Sequence, residues 1–221
     1  MPQTDAQNAA AEAKPRRRRS QQERREVGRS ALIEATIAAL CEVGYARTTT
    51  TEIVRRAGYT TGSLQHHFGA KEDLLLAVLD RLLDEYRAKY EAVAGLRTPL
   101  PDRCRSILDT LWEMYGSPRY TAMWELAIGT RGEPRLHEVV RSHRAHTFAI
   151  FEQAWHSAFA DISSNEERLS DLLHFSLTIL RGFVLHTSTD RAVALKDYER
   201  QIRLLEKTLV AEFSELAAGS K

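Results

Sequence analysis

Apolar residues recur along this chain at steps of three and four, and no stretch shows the alternation of a strand. From Gln21 to Val43 the positions Val27, Ala31, Leu32, Ile33, Ala35, Ile37, Ala38, Ala39, Leu40 and Cys41 form a helical stripe, closed by Gly44. Two very short segments follow. Thr49 can cap a helix that carries Ile53, Val54 and Ala57, and Gly58 ends it in a left-handed conformation. Thr60 can cap the next, Thr61 to Phe68, with Leu64 and Phe68 on one side and Thr61, Ser63, Gln65 and His66 on the other. Neither segment is long enough to be stable alone. Both must dock on the helix before them, which predicts a three-helix unit with a tight turn between its second and third members.

The next helix is predicted over residues 71–94, with Leu74, Leu75, Val78, Leu82 and Tyr86 on its apolar face. Glu72 and Asp73 suit its N-terminus, whereas Lys71 opposes the macrodipole and so suggests a phosphate partner. Gly95, Pro99 and Pro101 mark a break, after which helices are expected over 103–115, from Pro118 to about Ile128 and over 135–160. Ser164 with Glu167 reads as a capping box ahead of a helix over about 165–187. In the last helix Leu195, Tyr198, Ile202, Leu205, Leu209 and Leu216 fall on alternating steps of three and four, with Glu212 interrupting. The expected fold is all-α, with about nine helices. It divides into an arm (1–19), a three-helix unit (20–70) and a larger helical bundle (71–221).

With 221 residues, 43% hydrophobic and 28% charged, the composition is that of an ordinary globular protein. No apolar run approaches a membrane span and no signal peptide opens the chain, so a cytoplasmic protein without membrane partners is expected. Cys41 and Cys104 match no metal or redox spacing and read as small apolar residues. The net charge of +1 hides an asymmetry. Residues 1–30 carry eight Lys and Arg against four Asp and Glu, or +4, so the rest total −3. A basic front on a mildly acidic body suits a protein whose one end meets phosphate, and Arg16–Arg19 reads either as a solvated tail or as an arm for the minor groove.

Two short helices around a tight turn, the second with a polar edge, are the pattern of a helix-turn-helix. The stretch GYARTTTTEIVRRAGYTTGSLQHHFGAKEDLL, residues 44–75, resembles the DNA-binding segment of TetR/AcrR-type transcriptional regulators. Gly44–Tyr45, Thr48–Thr49, Ile53, Ala57–Gly58, Gly62, Leu64, His67–Phe68, Lys71–Glu72 and Leu74 carry the likeness. Gln65 departs from it, standing where the family usually has tyrosine. The resemblance implies groove contacts around Thr51, Thr61, Gly62, Ser63 and His66, and backbone contacts around Thr50, Thr60, His67 and Lys71. Thr49 and Gln65 complete the expected DNA-binding set, since an amide at Gln65 can pair with an adenine edge.

Beyond that segment the resemblance implies only architecture. Trp112, Tyr115, Tyr120, Met123, Trp124, Phe148, Phe151, Trp155, His174 and Phe175 are ordinary core candidates one by one; together, with Arg181, they can line a cavity for a largely apolar effector. The last two helices are apolar enough to leave a face uncovered, which predicts a homodimer through Leu172, Phe175, Ile179, Phe183, Ile202, Leu205 and Leu209. Two recognition helices about one DNA turn apart (~34 Å) would then read a palindrome. His66 and His67 point about 100° apart and do not converge on a metal. His143 and His146, three apart, have no third ligand. No nucleophile–base pair or phosphate-binding glycine loop appears, so neither a cofactor nor enzymatic activity is expected. The reading is a ligand-responsive regulator, a repressor on a double-stranded operator. A helical enzyme, or an adaptor or membrane-surface protein using the basic N-terminus, is the alternative.

Overall fold

The computed structural model describes residues 20–189 and 191–219, with side chains for all of these except 187–189 and 191–197. The arginine arm and the side chain of Leu195 lie outside the described residues. Among those described there are nine α-helices and no strand. In chain order they are α1 (Gln21–Val43), α2 (Thr50–Ala57), α3 (Thr61–Phe68), α4 (Lys71–Ala94), α5 (Leu100–Tyr115), α6 (Pro118–Gly129), α7 (Pro134–Phe159), α8 (Glu166–Thr189) and α9 (Arg191–Gly219). Single 3₁₀ turns, Tyr45–Arg47 and Thr130–Gly132, follow α1 and α6.

Local chemistry sets most of these boundaries. Ser20 caps α1 in a full capping box with Glu23, and Gly44 closes it. Helix α5 begins three residues earlier than the prolines suggested, with Leu100 and Pro101 in its first turn. Proline costs nothing there, because the first-turn N–H groups have no intrahelical partner. Helix α8 is capped by Asn165, whose side chain accepts from the Arg168 N–H, rather than by Ser164. Val27 is exposed, because the first two turns of α1 extend past its neighbours and burial starts at Gly28.

One apolar core runs from Leu32 to Phe213 through both the three-helix unit and the bundle. Helix α4 packs along α7, and α1 lies across α4 and α6, so the front unit is seated on the body at two places. Arg119, at the start of α6, reinforces this seat by donating to Glu34 of α1 and Glu85 of α4. Further back, buried Arg103 binds Asp161 through two nitrogens and also donates to the Thr98 and Ala158 carbonyls, which fastens α5 to the end of α7. Cys104 is buried, and the half-buried Cys41 thiol donates to the Pro118 carbonyl.

In α9 the strict three-four alternation fails at its end. Phe213 enters the core and stacks on Phe159 at 3.9 Å, while Glu212 turns out to bind Arg168. An α-helix drifts against a 3.5-residue repeat, so the buried stripe moves round by one position. The same ambiguity affects the expected dimer face. Leu172, Ile202, Leu205 and Leu209 are buried within the chain, where α8 and α9 meet each other and α5. Ile179 and Phe183 are half-buried, the latter edge-on to Tyr198. On α8 and α9 the large apolar side chains left in solvent, among the described residues, are Phe175 (45% exposed), Leu185 (71%) and Leu204 (60%).

The 3₁₀ turn after α1 is locked to the body. The Tyr45 N–H donates to Glu125 (2.8 Å), its hydroxyl donates to Glu133 (2.6 Å), and its ring rests on Gly129. A Cβ added at Gly129 would lie 2.4 Å from Tyr45 Cβ. Gly129→Ala is therefore expected to cost about 1–3 kcal/mol as an overpacking change, read as a fall of several degrees in a thermal melt. Gly132→Ala, where the added atom meets nothing within 4 Å, should leave the melt unchanged.

Candidate nucleic-acid interface

The interface candidate is the turn from α2 to α3. Thr49 accepts from the Glu52 N–H at 3.2 Å and starts α2. Gly58, at φ 70° and ψ 30°, ends it in the left-handed region, where a side chain would clash with its own backbone. Thr60 accepts from the Ser63 N–H at 3.1 Å and starts α3. Ile53 and Val54 from α2, with Leu64 and Phe68 from α3, are buried in the common core. Arg56 adds a polar fastening by donating to Glu42 of α1 as well as to Glu52.

This docking decides what faces outward. Thr49, Thr51, Thr60, Thr61, Gly62, Gln65 and His66 are exposed, and Thr50, Ser63 and Lys71 are half-buried. The expected contacts on α3 thus form a polar edge, and Thr51 is exposed on α2. Ser63 Oγ lies 3.0 Å from Thr60 Oγ, so part of its hydrogen-bonding capacity is already used within the turn. Arg55 is also exposed but is held by both oxygens of Glu52. Hydrogen bonds from Arg55 and Arg56 pull the Glu52 carboxyl down to about 2.

Two residues have roles that spacing did not reveal. The His67 ring turns toward α1, edge-on to Tyr59 at 6.5 Å, and packs so close to Gly28 that a Cβ there would be 2.8 Å from Nε2. Its Nδ1 is buried without a hydrogen-bond partner, and burial, aided by nearby His66, Arg25 and Arg29, lowers its pKa. His67 therefore braces α3 on α1. The signal was Gly28: glycine inside a helix costs about 1 kcal/mol and marks a close approach. Lys71, whose placement opposes the α4 dipole, holds its ammonium 4.9 Å from the centre of the Tyr45 ring. A cation–π contact accounts for part of its oddity. Arg29 likewise lies over Phe68, at 5.1 Å.

The bundle holds a second site, a cavity of about 360 Å³ between α4, α5, α6, α7 and α8. Of the expected ligand residues, Tyr115, Tyr120, Met123, Phe148, Phe151 and His174 line it, joined by Tyr86, Tyr90, Met114, Arg141, Arg144, Ala145, Thr147 and Arg181. Four expected residues do not. Trp112 stacks on Tyr198 at 3.7 Å, and Trp155 is fully buried with its indole N–H donating to the Leu169 carbonyl. Trp124 lies under the Arg144 guanidinium, outside the lining, and Phe175 points to solvent. Elsewhere His143 pairs with Asp80 at 2.8 Å. Among the described residues no group of three or more His, Cys, Asp or Glu could hold a metal ion, and no helix is long and apolar enough to cross a membrane.

An exposed polar helix edge propped on a three-helix scaffold defines a helix-turn-helix protein. Residues 32–78 match the family model described as bacterial regulatory proteins, tetR family. Over these residues the chain carries a tetR-family DNA-binding domain, and the relatives it matches are HTH-type transcriptional regulators. It is 25% identical over 193 residues to the HTH-type transcriptional regulator CymR of Pseudomonas putida, covering 87% of this chain and 93% of that one. An uncharacterized HTH-type regulator of Mycobacterium tuberculosis is 30% identical over 128 residues, 56% of this chain and 64% of the relative. In three dimensions the fold is that of a transcriptional regulator from Rhodococcus sp. Rha1, with a TM-score of 0.64 at 21% identity, covering 86% of this chain and 96% of that one.

Two expectations follow from this geometry. Ser63→Ala and Gln65→Ala should change preference at particular base pairs by ~1–3 kcal/mol, whereas Lys71→Ala should weaken all duplexes alike; binding to a panel of single-base operator variants separates them. His67 favours its neutral form in the fold, so the unfolded chain takes up its proton first as pH falls. Stability should therefore drop as pH is lowered through about 6.5, and His67→Phe should flatten that slope in melts between pH 7.5 and 5.5.

Proposed function

We propose that the protein is a ligand-responsive repressor that binds a palindromic operator as a dimer and is released by a small molecule. Helix α6 is the observation that carries the switch. Its Tyr120 and Met123 line the cavity, while Glu125 and Gly129, within two turns, grip Tyr45 at the corner of the helix-turn-helix. A ligand that displaces Tyr120 or Met123 pulls on the same rigid rod that positions the recognition helix. Helix α4 offers a second route, since Tyr86 and Tyr90 border the cavity and its first turn adjoins α3. The coupling required is modest: ~1–3 kcal/mol changes operator affinity roughly 5- to 150-fold.

The division into a DNA-binding unit (20–70) and a ligand-binding and dimerisation body (71–221) belongs to this proposal. So does a cytoplasmic setting without enzymatic activity. For the dimer, exposed Phe175, Leu185 and Leu204 on α8 and α9 replace the inward-facing leucines as the contact surface. Covering three large apolar side chains is favourable at roughly 25 cal/mol per Å². It would also supply the second recognition helix that a palindrome needs.

Selection from random duplex DNA should return a two-fold site. Leu185→Glu with Leu204→Glu should turn a dimer into a folded monomer on sedimentation, with loss of affinity for the full site. A wild-type monomer, or single half-sites from the selection, would sink the dimeric reading.

A further inference from the structure

Among the described residues, Arg181 lacks the carboxylate partners that fix buried Arg103 and half-buried Arg119. Arg103 has Asp161, and Arg119 has Glu34 and Glu85. Arg181, on α8, lines the cavity and has no carboxylate partner among the described residues. Its Nη2 lies 3.5 Å from the Tyr115 hydroxyl, which is long for a hydrogen bond, and its guanidinium lies 5.7 Å from the centre of that ring. Its Nε is buried without a partner, as is the Tyr86 hydroxyl on the same cavity wall. Burial opposes its charge, but the Tyr115 and Tyr120 hydroxyls facing it hold the pKa above the ordinary guanidinium value. Arg181 is thus a cation with unused donors.

The remaining charge around the cavity has the same sign. Arg141 and Arg144 also border it, and no Asp or Glu does. Arg141 is held by Glu138, whereas Arg144 lies over Trp124 as Arg181 lies over Tyr115. Of the three, only Arg181 holds a buried N–H without a partner. The walls favour flat groups: Tyr90 stacks on Phe151 at 4.7 Å and Phe148 on His174 at 4.9 Å.

We propose that the cavity takes a flat aromatic monocarboxylate, its rings between these aromatic walls and its carboxylate on the Arg181 guanidinium. A guanidinium offers parallel N–H donors that fit a carboxylate in two-point fashion. A single guanidinium with a buried, unpaired N–H suits one negative charge and leaves a phosphate dianion half-neutralised. The proposal rests on the cavity being the effector site, and it names the class of effector.

The test is calorimetric titration of the full-length, DNA-free protein with 2-naphthoate, 2-naphthamide, 2-naphthylmethylamine and 2-naphthyl phosphate. The acid should bind roughly tenfold or more tighter than the amide, as expected for losing a charge-assisted hydrogen bond. The amine should bind most weakly. In Arg181→Gln, checked for folding by circular dichroism, acid and amide should become equal, while Arg181→Lys should keep part of the preference. Equal affinities in the wild type, a preference for the amine or phosphate, no binding of any of the four, or an acid preference surviving in folded Arg181→Gln would each overturn it. The wild-type comparison decides even if the variants do not fold. Because DNA is absent, failure here is separate from failure of the repressor reading; naphthoate binding without effect on operator affinity would uphold the site and reject the switch.

Discussion

Two eight-residue helices cannot hold their own shape in water, and this protein depends on how that deficit is made good. Leu64 and Phe68 are buried on one side of α3. Their burial, with Ile53 and Val54, fixes the rotation of α3 about its own axis. That rotation is what turns Thr61, Gln65 and His66 outward. Polar residues would be present in any arrangement of this stretch, but only with the apolar pair sequestered do they form a rigid edge. The close seat of His67 on Gly28 allows α1 and α3 to approach as nearly as this requires.

The scaffold is in turn fastened to the bundle by interactions of different character. Apolar packing is continuous from one part to the other, which resists separation but tolerates small sliding. The Tyr45 contacts with Glu125, Glu133 and Gly129 are directional and short-ranged. They transmit displacement because a hydrogen bond at 2.6 Å has little slack. Since α6 reaches from this fastening to the cavity wall, the two sites share a rigid element as well as a common core.

Much of the front of the molecule was legible from residue order alone, because caps and turn glycines act locally. Ser20, Thr49, Gly58 and Thr60 each set a boundary through a bond to a residue at most four positions away. The back was less legible for a reason just as physical. An apolar stripe states that something is covered without stating by what, so Leu172, Ile202, Leu205 and Leu209 could not be told from an intersubunit face until α5, α8 and α9 were placed together. Likewise Trp112 and Trp155, apolar and large, are spent on neighbours rather than on the cavity. Tyr86, which does border it, was read simply as the apolar face of its helix, and Tyr90, one turn further on, carried no signal of its own.

Arg119 joins α1, α4 and α6 through two carboxylates at a half-exposed position. Mobile ions reach such a site, and at physiological strength they screen charges beyond about 8 Å. Dissolved electrolyte also weakens the attraction between a basic surface and the phosphates of a duplex by removing the gain from counterion release. Raised ionic strength would thus release a duplex while leaving this joint closed, because the charges of the joint meet within 3.1 Å, well inside the screening length.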